Sequence, residues 1–306
     1  MSAGADDAAV GVDYGYTVAP LAHRPHARAV LGAVHLQVAD LARSTAYYGS
    51  VIGLRTISSD STHAVLGVRD DATPIVVLHE RAGATRVPQR GRLGLYHFAI
   101  LLPDRAALGR FIAHLAAIGA YAGMSDHLVS EAVYLTDPDG LGIEVYADRP
   151  RESWRVANRT LEMATLTLDA ADLVRASRGI PWDGAPPGTR IGHVHLFVSD
   201  LEAAEHFYHE GLGLDKVVLH FPGALFMSAG GYHHHLGTNT WAADAPRAGA
   251  SDARLLEWSV MLPTPSDVNA TARALERAGA VVSHEDGDVV AEDPWGTIVR
   301  ITTTAP

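Results

Sequence analysis

The amino-acid sequence predicts an α+β fold made of two homologous domains. The first observation is an internal repeat: the segment that starts at Leu31 is restated from Ile191 onward, and His195 follows His35 by 160 positions. The second is that the order of strand, helix and short strands occurs twice within each copy. Identities at one constant spacing over many positions are not expected by chance. The chain is therefore interpreted as two domains, each made of two βαβββ modules.

The first two modules carry the signals of each element. Between Leu31 and Asp40 apolar residues alternate with polar ones, which is typical of a half-buried strand. Asp40 suits the N-cap of a helix that ends at Gly53, and short strands follow. A second strand of this kind starts at Leu95, and its helix is predicted over residues 105–118.

The repeat also sets the predicted boundaries. Its identical positions pair His35 with His195 and Asp40 with Asp200, among others. A proline- and glycine-rich stretch separates the two copies. The sequence therefore predicts a flexible N-terminal arm over residues 1–28, a first domain over 29–150, a connector over 151–190 and a second domain over 191–306.

Composition excludes several classes of function. The formal net charge is −11, from 24 basic and 35 acidic residues, and no basic run suited to phosphates is present, so nucleic acid is not an expected partner. The chain has no cysteine, which excludes disulfides and thiolate metal sites. No apolar stretch approaches the length of a membrane span, and the first twenty residues lack the features of a secretion signal. A cytoplasmic protein without membrane contacts is expected.

Two ionisable residues lie in segments that are otherwise apolar enough for core strands, namely His97 and Glu144. Glutamate is almost never fully buried without a partner, and a metal ion would account for both residues. His35 alternates with Val34 and Leu36, as His97 and Glu144 alternate with apolar neighbours, so all three are predicted to face one cavity. Two histidines and one carboxylate are the set that holds non-haem Fe(II) with open positions. Taken singly, each histidine is more simply a satisfied core or surface residue, and only the three residues together favour a metal site.

Three longer motifs carry a resemblance to a known family: Leu95-Tyr96-His97-Phe98-Ala99-Ile100-Leu101-Leu102-Pro103-Asp104, Ser125-Asp126-His127-Leu128-Val129-Ser130-Glu131-Ala132 and Ser228-Ala229-Gly230-Gly231-Tyr232-His233-His234-His235. With the paired modules, they resemble the vicinal oxygen chelate superfamily, which contains glyoxalases, bleomycin-resistance proteins and extradiol dioxygenases. Within it the chain is most similar to the CatE-like catechol 2,3-dioxygenases, over about residues 30–303. The resemblance implies that each domain is an open, barrel-like mixed sheet around a metal cavity.

The resemblance also implies an activity, in which Fe(II), or alternatively Mn(II), binds a catechol-type substrate and dioxygen for extradiol ring cleavage in a homo-oligomeric enzyme. It implies His35, His97 and Glu144 as metal ligands. It gives His79 the role of acid–base catalyst, and it makes His127 and Tyr134 hydrogen-bonding partners of the bound diol. From the sequence alone, His79 is equally an exposed strand end, and Tyr134 is more simply a core tyrosine with its hydroxyl at the surface.

The second copy departs from this pattern. Glu257 stands where His97 would be, and Arg300 stands where Glu144 would be. A guanidinium opposes a divalent cation, so the second domain is predicted to have lost its site. Its histidines are then structural or line an interface. Whether His195, His233 and His235 form a second site with Glu257 stays open at this point.

Two other functions remain alternatives. The first is a glyoxalase-type metal-dependent lyase or isomerase, for which Glu80, next to His79, is the candidate fourth ligand. The second is a protein that binds an aromatic compound without chemistry. Three metal ligands are more than sequestration requires, which favours the dioxygenase.

Overall fold

The computed structural model of the chain describes residues 12–88 and 90–304. All four predicted modules fold as a strand, a helix and three further strands. The first module has the strands β1 (Val30–Val38), β2 (Arg55–Ser59), β3 (His63–Gly67) and β4 (Val76–Glu80), with the helix α1 (Leu41–Tyr47) after β1. The second has β5 (Gly94–Leu101), β6 (Gly123–Asp126), β7 (Ser130–Thr136) and β8 (Gly142–Asp148), with α2 (Arg105–Ile118) after β5.

A connector and two further modules complete the chain. The connector has β9 (Val156–Ala157), β10 (Thr160–Leu161) and α3 (Ala170–Ala176). The third module has β11 (Arg190–Phe197), β12 (Asp215–Val218), β13 (Ala224–Ser228) and β14 (Leu236–Asn239), with α4 (Leu201–Ala204) after β11. The fourth has β15 (Arg254–Leu262), β16 (Val282–Glu285), β17 (Asp288–Glu292) and β18 (Ile298–Thr303), with α5 (Pro265–Arg277) after β15. The α+β fold class is confirmed.

The strands form two eight-stranded mixed sheets, and each sheet combines one module from each half of the sequence. The outer-module sheet joins modules one and four in the order β16-β17-β18-β15-β1-β4-β3-β2. The inner-module sheet joins modules two and three in the order β12-β13-β14-β11-β5-β8-β7-β6. The expectation that modules one and two share one sheet around the metal cavity therefore differs from the observed pairing. This pairing decides which histidines meet.

The predicted helix boundaries are confirmed by their caps. The side chains of Asp40, Asp104 and Asp200 accept hydrogen bonds from backbone N–H groups in the first turns of α1, α2 and α4. These acceptors satisfy donors that a helix start leaves free. Gly53 and Gly119 adopt left-handed conformations where the helical segments end, with φ of 84° and 68°.

The connector packs closely on the second module. Gly109 of α2 lies against α3, and a Cβ atom at this position would lie 1.9 Å from the carbonyl oxygen of Leu173. Glycine is therefore required for this helix contact. None of the helices in residues 12–88 and 90–304 is long and apolar enough to cross a membrane.

The described part of the predicted N-terminal arm is packed, which differs from the expectation of a flexible segment. Tyr16 is buried, and its hydroxyl donates to the carbonyl oxygen of Gly231 over 2.6 Å. Arg24 forms an ion pair with buried Asp215. The sequence did not predict this packing because Tyr16 and Arg24 make their contacts as single residues, without a periodic pattern around them. The first eleven residues of the predicted arm lie outside the described residues.

Candidate metal centre and its cavity

Three buried side chains meet at the centre of the inner-module sheet. They are His97 on β5, Glu144 on β8 and His193 on β11. β5 pairs with β8 on one side and with β11 on the other, so the three residues come from adjacent strands. The carboxylate oxygen Oε2 of Glu144 lies 3.0 Å from Nε2 of His97 and 3.1 Å from Nε2 of His193.

The donor set fits a divalent metal ion. Nε2 of His97 is buried, and its 3.0 Å contact with Glu144 lacks the angle of a hydrogen bond. This atom therefore has no hydrogen-bond partner among the described residues, although a buried polar atom normally has one. Metal–ligand bonds of about 2.1 Å at right angles would separate two donor atoms by about 3.0 Å, which matches the spacing at Glu144. Two imidazoles and one carboxylate on one side of an ion leave the other positions open. His97, Glu144 and His193 are therefore a candidate metal site.

Electrostatics favour the protonation state that a metal ion needs. Burial lowers the pKa of His193 to about 4, so its imidazole is neutral at pH 7. Burial acts to raise the pKa of Glu144, but the adjacent His193 and His97 outweigh it and hold this pKa well below the usual range. Metal ligation requires neutral imidazoles and an ionised carboxylate.

The cluster opens into a cavity of about 230 Å³. One part of its wall is aromatic and apolar, and the other part is made of polar side chains around the cluster. Its lining residues are Tyr96, His97, Ser125, His127, Tyr134, Glu144, Met163, Ala164, Thr165, His193, His195, Phe221, Phe226, His234 and Trp241. Residues 163–165 come from the connector, so the connector closes one side of the cavity.

The structure places His127 and Tyr134, the two residues that the family resemblance indicated, in this cavity. Nε2 of His127 lies 2.6 Å from the hydroxyl oxygen of Tyr134, and Nδ1 lies 2.7 Å from the carbonyl oxygen of Ala164. A carbonyl only accepts, so Nδ1 carries a proton and Nε2 of the neutral ring accepts from the Tyr134 hydroxyl. Burial, and then the charge of Glu144, raise the pKa of Tyr134 well above its usual range. Tyr134 thus remains a phenol.

The structure does not bring His35 and His79 into this cavity. Both lie in the outer-module sheet, on β1 and β4, where Nδ1 of His35 is 3.0 Å from Nε2 of His79. His35 and His79 are therefore in contact with each other, and they do not join His97 and Glu144. The reason is the pairing of the modules: β5, which carries His97, pairs with β11 rather than with β1.

The outer-module sheet contains the counterpart of the cluster. His35 lies opposite Glu257 as His195 lies opposite His97. Arg300 lies beside Ser259 as Glu144 lies beside Ala99. Arg300 donates to both oxygens of Glu257, over 2.7 and 2.9 Å. An ion pair therefore stands where the inner-module sheet has its metal-ligand candidates.

Sequence reasoning missed His193. The repeat aligns His195 with His35, which made His195 the candidate ligand. The counterpart of His193 is Ala33, so the repeat gave no signal for His193. The available signal was the spacing of His193 and His195, which puts both on one face of β11. His234 was also missed as a cavity residue. It lies in a short connection between β13 and β14, with its ring centroid 4.1 Å from that of His193.

The match to a known family covers the two copies of the repeat. The sequence profile of the Glyoxalase/Bleomycin resistance protein/Dioxygenase superfamily matches residues 30–145 and 190–301. The chain belongs to this superfamily. A superfamily relative, a catechol-2,3-dioxygenase from Bacillus subtilis (strain 168), is 40% identical over 268 residues, which are 86% of this chain and 93% of the relative.

Solved structures of other proteins share the fold. A candidate dioxygenase from Bacillus subtilis superposes with a TM-score of 0.64 at 16% identity, over 90% of this chain and 86% of that one. Glyoxalase I from Zea mays superposes with a TM-score of 0.52 at 17% identity, over 89% and 92% of the two chains. At these identities the likeness concerns the fold.

Proposed function

We propose that this chain is a metal-dependent extradiol dioxygenase that cleaves a neutral, single-ring catechol. The main support for this proposal is the buried cluster of His97, Glu144 and His193 at the wall of a cavity of about 230 Å³. The identity of 40% with a catechol-2,3-dioxygenase supports the reaction class. Fe(II), with Mn(II) as the alternative, would supply Lewis acidity toward the diol and electron transfer to dioxygen when bound.

The number of ligands favours a dioxygenase over a glyoxalase-type lyase. Within the described part of the chain, the cluster has three donor residues. Three donors leave positions for two diol oxygens and for dioxygen. Glu80, the candidate fourth ligand, lies in the outer-module sheet, and its carboxylate accepts from the backbone N–H of Leu41 over 3.2 Å. It is therefore unsuited to complete a four-residue site.

We assign the orientation of the substrate to His127 and Tyr134. The hydroxyl proton of Tyr134 is donated to Nε2 of His127, which leaves lone pairs of the Tyr134 oxygen to accept from a substrate hydroxyl. The contact of His127 with the carbonyl of Ala164 holds this pair against the connector. A diol bound at the cluster would thus meet an acceptor at a fixed place.

We assign the acid–base role to His234 in place of His79. Among the histidines of the cavity outside the cluster, His127 has both ring nitrogens bonded, and Nε2 of His195 lies 2.9 Å from the amide nitrogen of Asn239. The hydrogen bond that the His234 side chain forms among the described residues involves Nδ1, which leaves Nε2 available, and this ring lines the cavity. It can therefore take or return a substrate proton at Nε2.

The lining of the cavity indicates the substrate class. The residues around it include Phe221, Phe226, Trp241 and Met163, and none of the described lining residues is a lysine or an arginine. A ring with apolar substituents would bury its surface there, whereas a carboxylate substituent would lack a cationic partner. Catechol and alkylcatechols are therefore expected to be turned over faster than 3,4-dihydroxybenzoate.

The activity can be tested on protein loaded anaerobically with Fe(II) and mixed with catechol in oxygenated buffer. The expected result is oxygen uptake with formation of a yellow ring-opened product, and loss of both in His97→Ala. A parallel assay with methylglyoxal and glutathione tests the lyase alternative. Turnover of that mixture without oxygen uptake on catechol would overturn the proposal, and so would catechol binding without any product.

A further inference from the structure

A chain of hydrogen bonds runs behind the cavity from Asp148 to His234. Asp148 ends β8, the strand that also carries Glu144. Its Oδ1 lies 2.8 Å from Nε2 of His233, and Nδ1 of His233 lies 2.8 Å from Nδ1 of His234. His233 is fully buried, while the side chain of Asp148 is 28% exposed.

The direction of these bonds follows from the chemistry of the groups. An ionised carboxylate only accepts, so Nε2 of His233 carries a proton and donates to Asp148. In the neutral ring, Nδ1 of His233 then has a lone pair and accepts from Nδ1–H of His234. A neutral His234 protonated at Nδ1 has its lone pair at Nε2, the atom that this hydrogen bond leaves available at the cavity.

The surrounding residues hold this chain in place. The hydroxyl of Tyr232 donates to the Asp148 carboxylate over 3.0 Å, and the hydroxyl of Tyr146 lies 2.7 Å from that of Tyr232. Gly192 of β11 makes room for Tyr146, since a Cβ atom there would lie 1.8 Å from the Tyr146 hydroxyl. The guanidinium of Arg151 donates to the carbonyl of Gly231 over 2.5 Å, which fixes the turn before the histidines.

We propose that Asp148 and His233 are positioning residues that keep Nε2 of His234 as a hydrogen-bond acceptor toward the substrate. Neither residue lines the cavity, so both act through His234. A ring with the opposite tautomer would carry a proton at Nε2 and could not accept the hydroxyl proton of a diol. This inference rests on the proposed function for its catalytic consequence, but the tautomer itself is a property of the metal-free chain.

The first experiment measures the tautomer directly, by long-range ¹H–¹⁵N correlation spectra of the histidine rings in metal-free protein. His234→Gln identifies the signals of His234. We expect a protonated Nδ1 and an unprotonated Nε2 in the native chain. A signal with the proton at Nε2 would overturn the proposal, whatever the activity of the protein.

Variants of His233 provide the second experiment. His233→Phe removes the acceptor, so the His234 tautomer should shift toward protonated Nε2 and kcat/KM for catechol should fall about 10- to 100-fold, the range for residues that orient a functional histidine. His233→Asn keeps an acceptor near the position of Nδ1 and should restore the tautomer and part of the rate. His235→Asn, in the same run of histidines, is the matched control and should leave the tautomer unchanged.

The metal content should equal that of the native chain in all of these variants. An unchanged His234 tautomer in His233→Phe would contradict the positioning role. If the native chain shows the expected tautomer but does not oxidise catechol, the proposed function fails and the positioning of His234 stands. The two failures are therefore distinguishable.

Discussion

The assignment of His193 as the third ligand is tested by comparing His193→Ala with His35→Ala. His193 lies 3.1 Å from Glu144, whereas His35 lies in the other sheet against His79. In metalloproteins, loss of a residue that hydrogen-bonds a metal ligand typically weakens metal binding about 10- to 100-fold. Removal of the ligand His193 itself should therefore weaken metal binding by at least about 100-fold. His35→Ala should leave binding unchanged.

The effect on stability follows by mass action. At a metal concentration of about 100 times the native Kd, binding adds about 2.7 kcal/mol to the free energy of unfolding. If the Kd of His193→Ala is about 100-fold weaker, the same concentration adds only about 0.4 kcal/mol. Titration calorimetry with Mn(II) and urea unfolding with and without the metal give both quantities. Full metal stabilisation in His193→Ala, or its loss in His35→Ala, would refute the assignment.

Three further predictions concern other parts of the molecule. Arg300→Ala should keep one metal per chain by elemental analysis but lower the free energy of unfolding by about 1–3 kcal/mol, because Glu257 loses its partner; a lost metal would contradict this. Tyr134→Phe should keep the metal and lower kcat/KM for catechol about 2- to 10-fold, because a hydrogen bond between neutral groups contributes about 0.5–1.5 kcal/mol; an unchanged rate would exclude Tyr134 from substrate binding. The Ala229 N–H donates to Nδ1 of His235, and burial lowers the pKa of His235 to about 3. The unfolded chain takes this proton below about pH 6.5 and the folded chain does not, so the free energy of unfolding should fall by at most about 1.4 kcal/mol from pH 7.5 to 5.5. Urea unfolding of metal-free His235→Asn should lack this part of the pH dependence, and equal slopes in both proteins would contradict the reasoning.

Local patterns were sufficient for the elements and for part of the site. Alternation along β5 and β8 predicted that His97 and Glu144 face the same side, and they meet in the structure. The family resemblance, rather than the local pattern, indicated Tyr134 as a site residue, and Tyr134 lines the cavity. The helix cap at Asp40 was predictable because capping is a contact between residues three positions apart.

The sequence by itself determined the four modules, the family resemblance and the loss of ligands at Glu257 and Arg300. The tertiary structure alone decided which modules share a sheet. A repeat shows which strands are equivalent, but it carries no information on whether β5 pairs with β1 or with β11, since both are first strands of their modules. Because β11 is the observed partner, His193 joins His97 and Glu144, while His35 and His79 lie in the other sheet. The position of His234 depends in the same way on contacts between distant segments, which local periodicity does not encode.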